Sequence, residues 1–240
     1  MDKVLRQYFD WDTLQKYLPD LARGFWVTLQ IALIAWAIAL SLGLLLAVAS
    51  RPKPGVLPGA IRWIARVYIN GYRAIPALLV LLLMDGTFPS LPIAGIRSLS
   101  TFQISFIALG LVYAAYVAEV YRAGIESIDR GQAEAARSLG MSERQSMRLV
   151  ILPQAIKRVL PPLMNDFIAL TKDTALAGVL AVGDVVSVAR DAQSFEANGT
   201  PMVGAALFFV VFTLPLIWIL DRMIDREQHR TGRGPTVMTP

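Results

Sequence analysis

Two ionisable residues interrupt otherwise apolar stretches of this 240-residue chain: Arg73, within residues 63–84, and Asp166, within residues 155–171. An ionisable side chain at the centre of a membrane helix costs about 2.5–3.5 kcal/mol on insertion scales, so such residues usually face a cavity or a partner. Asp166 can neutralise a cationic group, and Arg73 can grip a carboxylate with its two-pronged guanidinium. A zwitterion presents both of those charges. Pro76, three residues beyond Arg73, removes the hydrogen bond that the Tyr72 carbonyl would accept and so kinks the helix. A helix broken at membrane depth often lines a site. Asn165, next to Asp166, can hydrogen-bond a solute or a neighbouring helix. Against the solute reading stands a purely structural one, in which Arg73 pairs with Asp166 or with backbone and holds spans together. Lys172, Asp173 and Thr174 follow at the outer end of the same stretch, where they form either a gate or an ordinary interfacial charge cluster.

Other chemistry is excluded by composition. The chain has no cysteine, which removes disulfides, thiolate nucleophiles, iron–sulfur clusters and zinc–thiolate sites. Its one histidine, His229, lies in a polar tail, so no metal site is expected. No Gly-x-x-x-x-Gly-Lys-Ser/Thr phosphate loop is present, and the apolar stretches offer no nucleophile–base pair. No catalytic residue is therefore assigned.

The elements that must carry Arg73 and Asp166 are membrane spans. The chain is 55% hydrophobic and 17% charged, against about 25% charged in a soluble domain, and its mean hydropathy is +0.51. Residues 24–50, 98–118 and 197–220 are charge-free runs of 27, 21 and 24 residues, and about 20 apolar residues cross a bilayer. With 63–84 and 155–171 added, the expectation is an all-α integral membrane domain covering residues 1–240, with five transmembrane helices and termini on opposite sides. Lys and Arg number 15 in the loops on the C-terminal side and 7 on the other, with Arg73 between. The positive-inside bias then puts the N-terminus outside and the C-terminus in the cytoplasm. The same insertion bias explains the pI near 9.7 without any nucleic acid partner.

Residues 1–23 alternate apolar and charged positions at helical spacing, which suggests an outer interfacial helix contacting membrane lipid. The 27-residue run that follows is too long for a signal core, so no cleaved signal is expected. Arg51, Pro52, Lys53, Pro54, Gly55, Pro58 and Gly59 read as a tight cytoplasmic turn. Gly110, Ala114 and Ala118 recur every four residues and permit close helix packing. Trp26, Trp63 and Trp218 fall near span ends as interfacial anchors. The tail from Arg230 onward shows no chemistry.

Residues 119–154 contain the longest cytoplasmic connection. Asp129 can cap a helix with Gln132 at its third position, Gly140 supplies a left-handed stop, and Ser142 caps a second helix with Gln145 at its third position. Glu119 and Arg122, one turn apart, read as an ion pair. Two helices around a glycine turn also fit a DNA-binding motif, but a loop tethered to the membrane at both ends cannot readily lay a helix in a major groove.

Glu134-Ala135-Ala136, Gly140 after three residues, and Val150, Leu152 and Pro153 after nine more resemble the EAA-loop signature of ATP-binding-cassette importer permeases, with Val150 where Ile is usual. Tyr72-Arg73-Ala74-Ile75-Pro76, Ala118-Glu119-Val120-Tyr121-Arg122-Ala123-Gly124-Ile125-Glu126-Ser127-Ile128, Gly131-Gln132 and Leu170-Thr171-Lys172-Asp173-Thr174-Ala175-Leu176 are similar to the polar-amino-acid uptake branch of that family. Ala74-Ile75 stands where Gly-Thr is frequent, and Ala175 where Ser is usual.

The resemblance covers about residues 24–222 and implies a type I importer permease fold with a cytoplasmic coupling helix. It implies a permease subunit, not an enzyme, that forms a translocation pathway by alternating access. The implied partners are two ATPase subunits, a second permease subunit, identical or paralogous, and an extracytoplasmic amino-acid-binding protein. ATP and magnesium would sit on the ATPases, with no cofactor on this chain. The coupling residues would be Gln132, Glu134, Ala135, Ala136, Arg137 and Gly140. Polar or charged amino acids are the expected cargo, with an opine or another small charged solute as the alternative. A purely anionic solute would meet repulsion at Asp166. A different class, an ion-coupled secondary transporter using Asp166 as its ion site, would not need the EAA loop.

Overall fold

The computed structural model describes residues 6–50 and 59–231, without the side chains of residues 94 and 227–231. The expected turn through Arg51 and Pro58, the His229 side chain and the end of the tail lie outside the described residues, which contain helices and no strand.

Helix α1, Trp11–Ala49, starts at Asp10, whose carboxylate accepts from the Asp12 amide at 3.2 Å and the Thr13 hydroxyl at 2.7 Å. Residues 11–23 are continuous with the span instead of forming a separate interfacial helix. Tertiary contacts offset the hydrogen bond lost at Pro19: Leu21 is fully buried, and Phe25 packs against Phe208, Phe209 and Phe212. At about 58 Å, α1 is roughly twice the depth of a hydrocarbon core.

The stretch expected as one kinked span is two helices, α2 (Gly59–Ala74) and α3 (Ala77–Thr87), bent by 106°. The proline ring excludes Ile75 from helical backbone, and Pro76 itself is extended at ψ 135°. The chain restarts when the Pro76 carbonyl accepts from the amides of Leu79 and Val80. A bend this large exceeds a proline kink, because no backbone bond crosses the break.

Helix α4, Thr101–Glu126, opens with a capping box between Ser100 and Gln103 and runs through the middle of the molecule. A Cβ on Gly110 would stand 2.9 Å from Ile38, so the absence of a side chain is what lets α4 lie against α1. Ala114 and Ala118 on the same stripe are fully buried.

Next come α5 (Arg130–Ser138), a helical turn Glu143–Ser146, a π turn Met147–Ile151, and α6 (Leu152–Asp173). Gly140 adopts φ +83°, and the Ser142–Gln145 capping box is formed. Asp129 caps α5 through the Gly131 amide at 2.7 Å, while the Gln132 side chain accepts from Gln154 instead of closing a box. A 3-10 turn, Thr174–Leu180, leads to α7 (Val185–Glu196) and α8 (Thr200–Thr231). Among the described residues, three helices are long and apolar enough to cross a membrane, four if α2 and α3 form one span, and α6 is too charged to join them on composition.

Candidate functional site

The break at Pro76 leaves Arg73 at the end of α2 and opens a cavity of about 490 Å³ between α2, α4 and α6. Arg73, Pro76 and Asp166 all line it, with Tyr113, Tyr116 and Asp173. Oδ2 of Asp166 is buried and has no hydrogen-bond partner. Leaving a buried acceptor unmade costs about 1–3 kcal/mol, more when it is charged, and the chain's own groups do not meet that cost for this oxygen. No hydrogen bond or ion pair joins Arg73 to Asp166 among the described residues, and the bridging alternative is not what the structure forms.

The neighbouring residues divide differently. Asp173 faces the cavity, and its Oδ2 accepts from the Tyr113 hydroxyl at 2.8 Å. Thr174 is fully buried and donates to the Thr171 carbonyl at 2.6 Å, which makes it part of the helix end. Asn165 and Lys172 are exposed and do not line the cavity. Tyr113 and Tyr116 were not singled out in the sequence; the available signal was a phenol in mid-span, where a buried hydroxyl needs a partner.

At the end of the bundle that carries α5, this helix turns two faces in different directions. Ala136 is buried, and Ala133 packs on the cluster of Ile128, Ile151 and Ala155. Gln132, Glu134, Ala135, Arg137 and Gly140 are exposed. Ala136 therefore serves the chain's own core, whereas Ala135 is free for an external contact. Leu139, 81% exposed at the end of α5, adds an apolar knob that the sequence reading passed over. The seat of α5 is tied to its surroundings: Gln154 donates to Gln132 at 3.3 Å, Arg158 donates to the Ser127 carbonyl, and Arg122 pairs with Glu119 and Glu126.

At the opposite end, Asp184 is fully buried and caps α7 through the amides of Val186 and Ser187 at 3.0 and 3.2 Å. The Thr28 hydroxyl accepts from the Val185 amide at 3.2 Å and docks α7 on α1. Glu196 closes the other end of α7, accepting from Lys16 at 2.5 Å and Tyr17 at 2.8 Å. The Lys16 and Tyr17 hydrogen bonds hold the Glu196 carboxyl below its ordinary value.

A helical membrane protein with a bent span over a charged cavity and a capped helical loop is the architecture of a transport permease. The chain belongs to the family described as binding-protein-dependent transport system inner membrane components, which matches residues 39–229. It is 36% identical over 214 residues to the glutamate/aspartate import permease protein GltK of Escherichia coli, covering 87% of this chain and 92% of that one. It is 34% identical to the arginine transport system permease protein ArtQ of Bacillus subtilis, covering 88% and 93%. The probable glutamine transporter permease protein GlnM of the same bacterium is 39% identical, covering 80% and 86%. Among solved structures, an amino acid ABC transporter superposes with TM-score 0.82 at 34% identity, covering 90% of this chain and 98% of that chain. The MetNI methionine transporter, at TM-score 0.72 and 22% identity, shares the fold. This chain is accordingly a membrane transport component, and its relatives are amino-acid permeases.

Proposed function

We propose that this chain is the membrane-spanning subunit of an ATP-driven importer of polar or charged amino acids. It works as half of a permease dimer with two ATPase subunits and an extracytoplasmic receptor. The observation that carries the reading is the cavity where Arg73, Pro76 and Asp166, from separate helical elements, meet around an unpartnered carboxylate oxygen. The amino-acid names of its relatives support the cargo class.

Five crossings are made by α1, the bent pair α2–α3, α4, α6 and α8. α6 is taken as a crossing despite its charges: Arg158 bonds Ser127, Asp166 faces the cavity, Asp173 accepts from Tyr113, and Lys157 and Lys172 lie toward its two ends. The excess of Lys and Arg on the C-terminal side supports an external N-terminus and a cytoplasmic C-terminus.

Coupling falls to the exposed face of α5. Glu134 and Ala135, with Arg137 and Gly140 behind them, seat in a cleft of an ATPase, and Glu134 takes hydrogen bonds from partner cationic or backbone groups. Movement of α5 reaches the cavity through α6, to which it is bonded at Gln132 and Gln154. Arg73 receives the α-carboxylate and Asp166 the ammonium. Lys172 and Asp173, at the outer end of α6, form the external gate, with Lys172 on the exposed side toward the companion permease and Asp173 on the cavity side.

The test is uptake of radiolabelled amino acids into proteoliposomes holding the purified assembly, receptor and internal ATP. Accumulation that requires ATP supports the importer. Accumulation that follows an imposed ion gradient and ignores ATP would make Asp166 an ion site and remove the coupling role of α5. Within the same assay, Glu134→Lys should abolish ATPase association or coupled hydrolysis, and unchanged coupling would count against the docking face.

A further inference from the structure

We propose that the turn between α5 and α6 holds the phosphate of an anionic phospholipid, and that the groove between α1, α4 and α6 takes one of that lipid's acyl chains. The inference goes beyond the importer reading, needs no particular cargo, and uses only the reading of α6 as a membrane crossing. Ser142, Arg144, Gln145, Arg148 and Leu149 surround a cavity of about 460 Å³. Its lining holds two guanidiniums, four residues apart, and no carboxylate. Both arginines are exposed, and among the described residues no ion pair or hydrogen bond engages either side chain.

The neutral groups complete the donor set. In the Ser142–Gln145 capping box the Ser142 hydroxyl oxygen accepts from the Gln145 amide at 3.3 Å, and Gln145 Oε1 accepts from the Ser142 amide at 2.9 Å. The Ser142 hydroxyl hydrogen and Gln145 Nε2 therefore stay available to donate. A cavity lined by donors with two unpaired positive charges is complementary to a phosphate.

The surface that leads away from this cavity points to a lipid as the phosphate's source. Leu149, at the cavity, starts a series with Leu152, Ile156 and Leu160 that recurs every three or four residues along α6, at 62, 42, 48 and 45% exposure. Leu152 and Ile156 also line an apolar cavity of about 260 Å³, walled by Leu44 and Val48 of α1, Ile125 of α4 and Val159. Its one charged residue, Arg122, is paired with Glu119 and Glu126. A basic pocket at the foot of a crossing, continued by a slot for hydrocarbon, matches one phospholipid molecule lying along α6. Free phosphate would fill only the basic part, and an acidic segment of an ATPase would leave the apolar part uncovered.

The test uses the purified assembly in phosphatidylcholine nanodiscs doped with photoactivatable phosphatidylglycerol or photoactivatable phosphatidylcholine, with the labelled peptides mapped. Phosphatidylglycerol should label residues 142–156 about tenfold more than phosphatidylcholine does, while both should label the region of Leu160 alike. Arg144→Gln combined with Arg148→Gln should lower the phosphatidylglycerol labelling to the phosphatidylcholine level, and the corresponding pair of Lys substitutions should keep most of it. If the Gln pair fails to assemble, the two lipids on the unaltered assembly decide alone. Equal labelling by both lipids would overturn the headgroup site and leave α6 a crossing. No labelling anywhere along α6 would overturn the crossing and this inference together. Loss of the preference on adding inorganic phosphate would make the cavity a free-anion site and overturn the lipid. A Gln pair that sheds the ATPase subunit while keeping its phosphatidylglycerol labelling would assign the arginines to the ATPase and overturn it as well.

Discussion

Tyr113 and Asp173 lie 60 residues apart in the chain and one hydrogen bond apart in space, the Tyr113 hydroxyl donating to Asp173 Oδ2 at 2.8 Å. That bond ties the middle of α4 to the C-terminal end of α6, beside the cavity. A bond to a charged acceptor is worth about 1.5–3 kcal/mol. Tyr113→Phe should lower unfolding stability by about that amount, because Asp173 Oδ2 then loses its hydrogen-bond donor. A thermal melt in detergent reads this directly; no change would mean that water replaces the phenol at no cost.

Pro76 is expected to dictate the 106° bend between α2 and α3. Pro76→Ala restores an amide donor and lifts the restriction on Ile75, so the two helices should straighten toward one span. The chain lacks cysteine, so spin labels at Val67→Cys and Leu83→Cys report the change without background. Their separation should rise toward the roughly 24 Å of a continuous helix, and uptake should fall as Arg73 leaves Asp166. An unchanged separation would assign the bend to packing of α3 against α4.

Two glycines should respond in opposite directions. Gly110 faces Ile38 across the α1–α4 contact, so Gly110→Leu should destabilise by about 1–3 kcal/mol through overpacking. Gly71, inside α2, has no atom within 4 Å of a built Cβ. Gly71→Ala should stabilise by about 0.5–1 kcal/mol from backbone entropy. Paired melting curves check both, and a loss at Gly71 would reveal a companion chain packed on that face.

Glu196 gives a pH signature. Its carboxyl is held below the ordinary value by Lys16 and Tyr17, so its contribution is present above the unfolded carboxyl range and fades as pH falls through the lowered folded value. Glu196→Gln should therefore melt below the unaltered chain near neutrality. The difference should begin to narrow as the pH falls through about 4.3 and close only below the lowered folded value, and salt should shrink it because the cluster is exposed. A difference that persists in acid would mean packing, not charge, holds the end of α7.

Features encoded within a few residues were legible in the sequence. Gly140 ends α5 in left-handed backbone and Ser142 boxes with Gln145, since both depend only on local chemistry. The cavity residues Arg73, Pro76 and Asp166 were legible because charge and proline are anomalous in apolar runs. The size of the bend was not, because a proline marks a break without specifying its angle, and the burial of Val80, Leu81 and Met84 in the core is not a local signal. α7 escaped notice because its 12 residues mix charge with short apolar pairs, and its hold on α1 comes from Thr28, over 150 residues away. The continuity of α1 was hidden for a similar reason: contacts with α7 and α8 outweigh Pro19.

The bonds from Arg158 to Ser127 and from Gln154 to Gln132 fasten one end of α6 to α5 and to the end of α4. Between those anchors and Asp166 runs about 12–18 Å of helix, from whose backbone ladder Pro161 and Pro162 remove two donors. A tilt of about 10° at the anchored end then moves the carboxylate by about 2–3 Å. In the proposed importer α6 would thus serve as a release arm, a push on α5 shifting Asp166 relative to Arg73 with no signal passed from side chain to side chain.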